Sequence, residues 1–185
     1  MVYMGNEVKI NAILKAVGKA GTLIDIGCSR GYMAKAFLDN NQVSKCYGLN
    51  PEIEIVSPEL LKNPAFTFYK ANLVDFVFPQ NYEVVIYTAV HHRVFETYGR
   101  DIALNVWKKV IDACDKTVVF ETGMLVEKGD DFVSELAKHY ASDSEYLDEV
   151  FSVVGNRLLG VDEIIKLPVR GATRTVYKLT LSEAR

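Results

Sequence analysis

The sequence has no apolar run near the roughly 18 residues that a membrane-spanning helix needs. The stretch at 84–90 is among its longest and has the length of a buried strand. Cysteine is scarce. Cys28, Cys46 and Cys114 are widely spaced, odd in number and without a CxxC pair. That argues against a disulfide framework or a zinc knuckle and points to a reducing, intracellular setting. With 5 Pro and 12 Gly in 185 residues, the chain is neither collagen-like nor low in complexity. No sign of charge dominates: the net charge is -3 and the pI is near 5.7. This argues against strong sequence-independent nucleic-acid binding. The first ten residues carry Glu7 and Lys9 and lack a secretory apolar core. A cytoplasmic protein without membrane insertion is expected. What is present is core material, at 49% hydrophobic residues. No internal repeat or linker interrupts it, so one domain over 1–185 is expected.

Strand and helix signals alternate. Residues 6–19 have near-helical apolar spacing, with Val8, Ile13 and Val17 in step. Strands are predicted at 22–26, at 45–49 (ended by Asn50-Pro51), at 66–69, at 82–90 and at 116–121. Helices are predicted at 32–38, around Ile102, Val106, Trp107 and Val110, at 131–140 and at 144–154. Cys114 is placed in a helix tail. Two last strands, 157–167 and 173–181, are joined through Pro168 and Gly171. Such alternation predicts an α/β fold: a Rossmann-like, mostly parallel sheet of seven strands, with helices on both faces and an antiparallel C-terminal edge hairpin.

In open α/β sheets, ligands bind outside the carboxyl ends of the strands. The first strand-to-helix turn reads Asp25-Ile26-Gly27-Cys28-Ser29-Arg30-Gly31-Tyr32. Ser29 and Tyr32 break the G-x-G-x-x-G dinucleotide fingerprint, and no Gly-Lys-Ser/Thr phosphate loop is present. The turn resembles instead the first motif of class I S-adenosylmethionine-dependent methyltransferases, with Asp25, Gly27 and Gly31 in place and Ser29 for the middle glycine. The resemblance continues in order through Tyr47-Gly48-Leu49-Asn50, Ala71-Asn72-Leu73 and the segment 82–92, covering roughly residues 20–125. It implies S-adenosylmethionine as cofactor and S-adenosylhomocysteine as product. The positions it assigns to cofactor binding are Asp25, Gly27, Cys28, Ser29, Gly31, Tyr32, Asn50, Asn72, Leu73 and Thr88. Asn50 stands where the family has a ribose-binding acid; an amide keeps one such hydrogen bond but loses the charge-assisted strength. Glu52 is a substitute within reach.

Thr88-Ala89-Val90-His91 replaces the Asn/Asp-Pro-Pro-aromatic stretch of amine methylation. His91 or His92 is expected to act as base or as an acceptor-oriented donor, with Glu121 at the end of the fifth strand as a further catalytic candidate. No metal is expected, since adjacent histidines diverge and no third ligand is near. The segment 89–95, Phe120-Glu121 and the tail around Arg170 and Arg174 are similar to the methyltransferase domains that terminate bacterial O-antigen polysaccharides. That resemblance implies O-methylation of a small or carbohydrate-linked, including phosphorylated, acceptor. Arg93, Arg170 and Arg174 are its candidate anion contacts. Glu121 is also a candidate partner for Arg93, and the acids at 127–131 are read as an ordinary helix start. Segment 128–155 is expected on the acceptor side, with a protein partner or second copy as another way to complete the site. Two alternatives stay open: an RNA ribose or terminal phosphate as acceptor, and a non-catalytic methyltransferase-like binding module.

Overall fold

The computed structural model describes residues 4–183. Residues 1–3 of the expected N-terminal helical segment, 1–20, lie outside them. The elements run α1 (Met4–Val17), β1 (Ala20–Ile26), α2 (Tyr32–Asp39), β2 (Val43–Asn50), α3 (Pro58–Leu61), β3 (Phe66–Lys70), β4 (Tyr82–Thr88) and α4 (His91–Tyr98). They continue as α5 (Arg100–Asp112), β5 (Cys114–Glu121), α6 (Asp131–Leu136), α7 (Asp143–Ser152), β6 (Leu158–Val169) and β7 (Ala172–Leu181).

The strands form a single sheet in the order β3-β2-β1-β4-β5-β7-β6. β1 pairs in parallel with β2 and β4, so the strand order reverses beside β1 and opens a crevice there. The expected C-terminal hairpin is present, and the topology refines it. β7 inserts between β5 and β6, antiparallel to both, leaving β6 at the edge. Its turn has two residues, Arg170 (φ 49) and Gly171 (φ 78), between the paired Val169 and Ala172. Positive φ at both positions is the twist-matched hairpin turn, for which Asn-Gly is the usual sequence.

Two apolar layers cover the sheet. On one face α1, α2 and α3 bring Ile13, Phe37 and Leu60 against Leu23, Val84, Ile86 and Val119. On the other, α4 to α7 bring Phe95, Trp107, Phe132 and Tyr146 against Ile24, Val85, Tyr87 and Phe120. Alternate residues of β1, β4 and β5 thus serve opposite layers, as a pleated strand dictates. The Trp107 indole N–H donates to the Val150 carbonyl at 2.7 Å, fixing α7 on α5.

Three local expectations are corrected. The fourth strand ends at Thr88, and residues 91–98 form a helix that the sequence pattern did not announce. Cys114 begins β5. On α5 the buried stripe is Ala103, Val106, Trp107 and Val110, while Ile102 is 40% exposed.

Candidate active site

A cleft of about 330 Å³ opens at the carboxyl ends of β1, β2 and β4, walled on its far side by α4. Its floor is Ile26, Gly27 and Leu49, and its polar groups are Asn50 and Asn72 on the strand side with Arg93, Thr97 and Tyr98 on the α4 wall. Gly27 has φ +70, and a Cβ there would stand 2.5 Å from Val90 Cγ2, so only glycine lets the turn lie this close to the wall. Asn50 donates its amide N–H to the Glu52 carbonyl at 3.0 Å, leaving Oδ1 free to accept. Asn72 is more committed: Oδ1 accepts the Val74 N–H at 3.0 Å, and Nδ2 bonds the Tyr98 hydroxyl at 2.7 Å. Ala89 holds φ 60 where the chain turns from β4 into α4, and it lines the cleft with Val90 and Val94.

Of the expected cofactor positions, the structure brings Gly27, Asn50, Asn72 and Leu73 to the cleft. Asp25, Cys28, Ser29, Gly31, Tyr32 and Thr88 are not among its lining residues. Asp25 is buried away from solvent, outside the cleft lining. Burial pushes its pKa up to about 7, against a smaller opposing pull from Lys9. Cys28 packs its sulfur against Gly48, and its burial drives the thiol up to about 12, so it is inert. Gly31 caps α2 with φ 79. Ser29 and Tyr32 are exposed, and Thr88 lies on the α1 face of the sheet, in step with Asp25 and Glu121. Tyr98, Thr97 and the wall of α4 were not foreseen, because α4 itself was not.

Neither histidine reaches the cleft. His91 is fully buried among Tyr87, Trp107, Phe120 and Tyr146, with ring centroids 6.0 to 6.2 Å away. Neither of its nitrogens has a hydrogen-bond partner, and burial alone depresses its pKa to about 3. His92 turns the other way. Its Nδ1 accepts the Gly123 N–H at 2.8 Å, and its ring packs on Phe132. Burial, then the nearby Arg174, Arg93 and Arg170 guanidiniums, lower its pKa to about 2. Two neutral, enclosed imidazoles at the start of α4 replace the expected accessible pair.

The expected pairing of Glu121 with Arg93 is likewise replaced. Glu121 accepts from Lys9 of α1 at 2.5 Å and from Arg174 at 3.0 Å. Arg174 forks onto Glu127 through two bonds of 2.7 Å. At 7% exposure it is a buried structural ion pair rather than an arginine turned to an acceptor. The acids at 127–131 are therefore more than a helix start, for Asp130 receives both Arg93 (3.3 Å) and Arg170. Of the three arginines, Arg93 alone lines the cleft. Among the described residues, no group of three or more His, Cys, Asp or Glu could hold a metal, and no helix is long and apolar enough to cross a membrane.

This sheet order, with its crevice beside β1 and a glycine turn beneath it, is the class I methyltransferase fold. Solved structures of that class superpose over nearly the whole chain. The bifunctional kinase-methyltransferase WbdD matches with a TM-score of 0.68 at 14% identity, over 95% of this chain and 39% of its own. The chain thus spans about two-fifths of WbdD. The N-methyltransferase NodS from Bradyrhizobium japonicum WM9, in complex with S-adenosyl-L-homocysteine, has a TM-score of 0.68 at 7% identity, over 96% of this chain and 86% of its own. Magnesium protoporphyrin IX methyltransferase (ChlM) from Synechocystis PCC 6803, with bound SAM, has 0.63 at 12%, over 96% and 80%. No protein-family model and no curated sequence matches the chain.

Proposed function

We propose that the chain is an S-adenosylmethionine-dependent methyltransferase that methylates an oxygen of a small or carbohydrate-linked acceptor carrying an oxyanion, such as a phosphate. The observation that carries this reading is the cleft at the carboxyl ends of β1, β2 and β4, with Gly27 beneath it. Its residues fit the cofactor: Leu49, Leu73 and Val90 offer apolar walls for an adenine, and Asn50 Oδ1 a free acceptor for a ribose hydroxyl. NodS and ChlM, which share the fold, carry S-adenosylhomocysteine and SAM. When bound, the cofactor supplies a methyl group activated on a sulfonium.

The protein's own part is then mostly positioning. A neutral hydroxyl acceptor would need a general base, whereas an oxyanion is already a nucleophile. Both histidines are buried and held neutral, while Arg93 at the cleft and Arg170 beside it present cationic forks. This pairing supports an anionic acceptor, and the segment 128–155, with α6 and α7, would form its side of the site. The three buried free cysteines fit a cytoplasmic setting.

Calorimetry with S-adenosylmethionine and S-adenosylhomocysteine tests the cofactor, and both should bind; no heat up to millimolar ligand refutes the enzyme reading. Labelled methyl transfer to phosphosugars, neutral glycans and short RNAs tests the acceptor. Label in the phosphosugars alone is expected; label in neutral glycans alone overturns the oxyanion assignment, and label in RNA transfers it to a nucleic acid.

A further inference from the structure

Two guanidiniums from distant parts of the chain converge on one carboxylate beside the cleft. Arg93 comes from the first turn of α4, and Arg170 from the two-residue turn of the β6–β7 hairpin. Both bond the carboxylate of Asp130, which sits at the head of α6. The exposures are unequal: the arginine side chains are 46% and 47% exposed, the Asp130 side chain 10%. The acid is thus sunk between two cations that themselves remain open to solvent. Arg93 also bonds Glu96 at 2.9 Å, while Arg170 is held through its backbone, its carbonyl accepting the Lys128 N–H at 3.1 Å.

This arrangement differs from the one a few residues away. Arg174 is enclosed and matched by Glu121 and Glu127, so it offers no open charge to a ligand. Arg93 and Arg170 share the Asp130 carboxylate, with the part-exposed Glu96 as a second partner of Arg93 alone, and the three guanidiniums together bear on the buried His92. Arg170 holds φ 49 at a turn position where Asn or Gly is the unstrained choice.

We propose that Asp130 is an internal stand-in for the acceptor's anionic group, occupying a phosphate-binding fork between Arg93 and Arg170 from which the acceptor must displace it. The strap 128–131, beyond the anchored Glu127, is then both a placeholder that keeps the two forks apart and aimed, and a competitor that sets the threshold for entry. A phosphate dianion brings more charge and more acceptor oxygens than one carboxylate, so it outcompetes the strap where a monoanion does not. Its identity as an acceptor site rests on the methyl-transfer reading above. The binding itself does not, and phosphate is measured without cofactor so that the two ideas fail separately.

Inorganic phosphate is titrated into the full chain at constant ionic strength, with wild type, Asp130→Asn and Arg93→Ala compared. Removing an internal competitor raises the competent fraction, so Asp130→Asn should bind phosphate roughly tenfold more tightly than wild type. Arg93→Ala should lose the binding. A purely structural role for Asp130 predicts the opposite sign, because loosening the strap would scatter the arginines. Equal or weaker binding by a folded Asp130→Asn, no binding by either protein, or full binding by Arg93→Ala each overturns the proposal. Hydrogen exchange on wild type gives a reading that needs no variant. Phosphate should speed exchange at the amides of 128–131 while leaving β5 unchanged; unaltered exchange at saturating phosphate overturns the displacement.

Discussion

Lys9 and Glu121 lie 112 residues apart and meet at 2.5 Å, tying helix α1 to the carboxyl end of β5. The contact matters because Glu121 is 3% exposed and already shares Arg174, so α1, β5 and β7 meet at one carboxylate. Breaking a buried pair leaves its partner desolvated, although here Glu121 keeps one cation.

Lys9→Met should therefore destabilise the protein by roughly 1–3 kcal/mol, below the range for a fully orphaned buried charge. Urea denaturation of Lys9→Met, Glu121→Gln and the double variant forms the cycle. A coupling near zero would mean that the apolar stem of Lys9, not its charge, holds the helix.

The same end of the sheet carries a pH signature. Asp25 has its pKa raised to about 7 by burial, against an ordinary value of 3.8. The folded state then holds a proton that the unfolded state gives up above pH ~4. The contribution of Asp25 to stability is present below that value, falls as pH rises through about 7, and is flat beyond. Asp25→Asn, which cannot ionise, should gain stability relative to wild type between pH 5 and pH 8, by a few kcal/mol at most. Denaturation curves at those pH values decide it; a constant difference would mean that Asp25 is ionised throughout.

Much of the fold was legible and much of the site was not, for a physical reason. Strands buried on both faces read as apolar runs, so β1, β4 and β5 showed themselves, and the Gly27 and Gly31 spacing marked the turn between β1 and α2. Helix α4 hid because it has only eight residues and buries His91 and His92 beside Val94 and Phe95. Its letters look polar, and their burial depends on α5, α6 and α7 arriving from elsewhere. Arg174 reads as an anion contact in the sequence for the same reason. Its partner Glu127 is 47 residues away, and no local pattern couples them.

Gly27 offers a direct probe of the cleft. Gly27→Ala places a Cβ 2.5 Å from Val90 Cγ2 at φ +70, so both strain and displacement of the wall follow. Affinity for S-adenosylhomocysteine should fall by at least about tenfold, the equivalent of about 1.4 kcal/mol. Gly155→Ala is the control: it shares the left-handed backbone, at φ +59, but would meet nothing within 4 Å. Its stability should drop while its affinity is unchanged. Equal losses of affinity in the two would assign the effect to general destabilisation.

His91 separates a core residue from a catalytic one. Its two nitrogens are buried without partners, and its ring lies in an aromatic enclosure with Tyr146 nearly parallel at 19°. Phenylalanine matches that shape and removes the unsatisfied polar atoms, so His91→Phe should be neutral or stabilising near pH 7. The acid limb should change as well. With its folded pKa at about 3, wild-type His91 stays neutral while the unfolded chain takes up a proton below pH ~6.5. Stability is lost as pH falls through that window, and His91→Phe removes this part of the loss. His92, at about 2, keeps its own share, so the limb flattens without vanishing. Methyl transfer by the variant completes the test. Turnover within a fewfold of wild type is expected, whereas a loss of about 100-fold or more with cofactor affinity intact would restore the histidine as a general base.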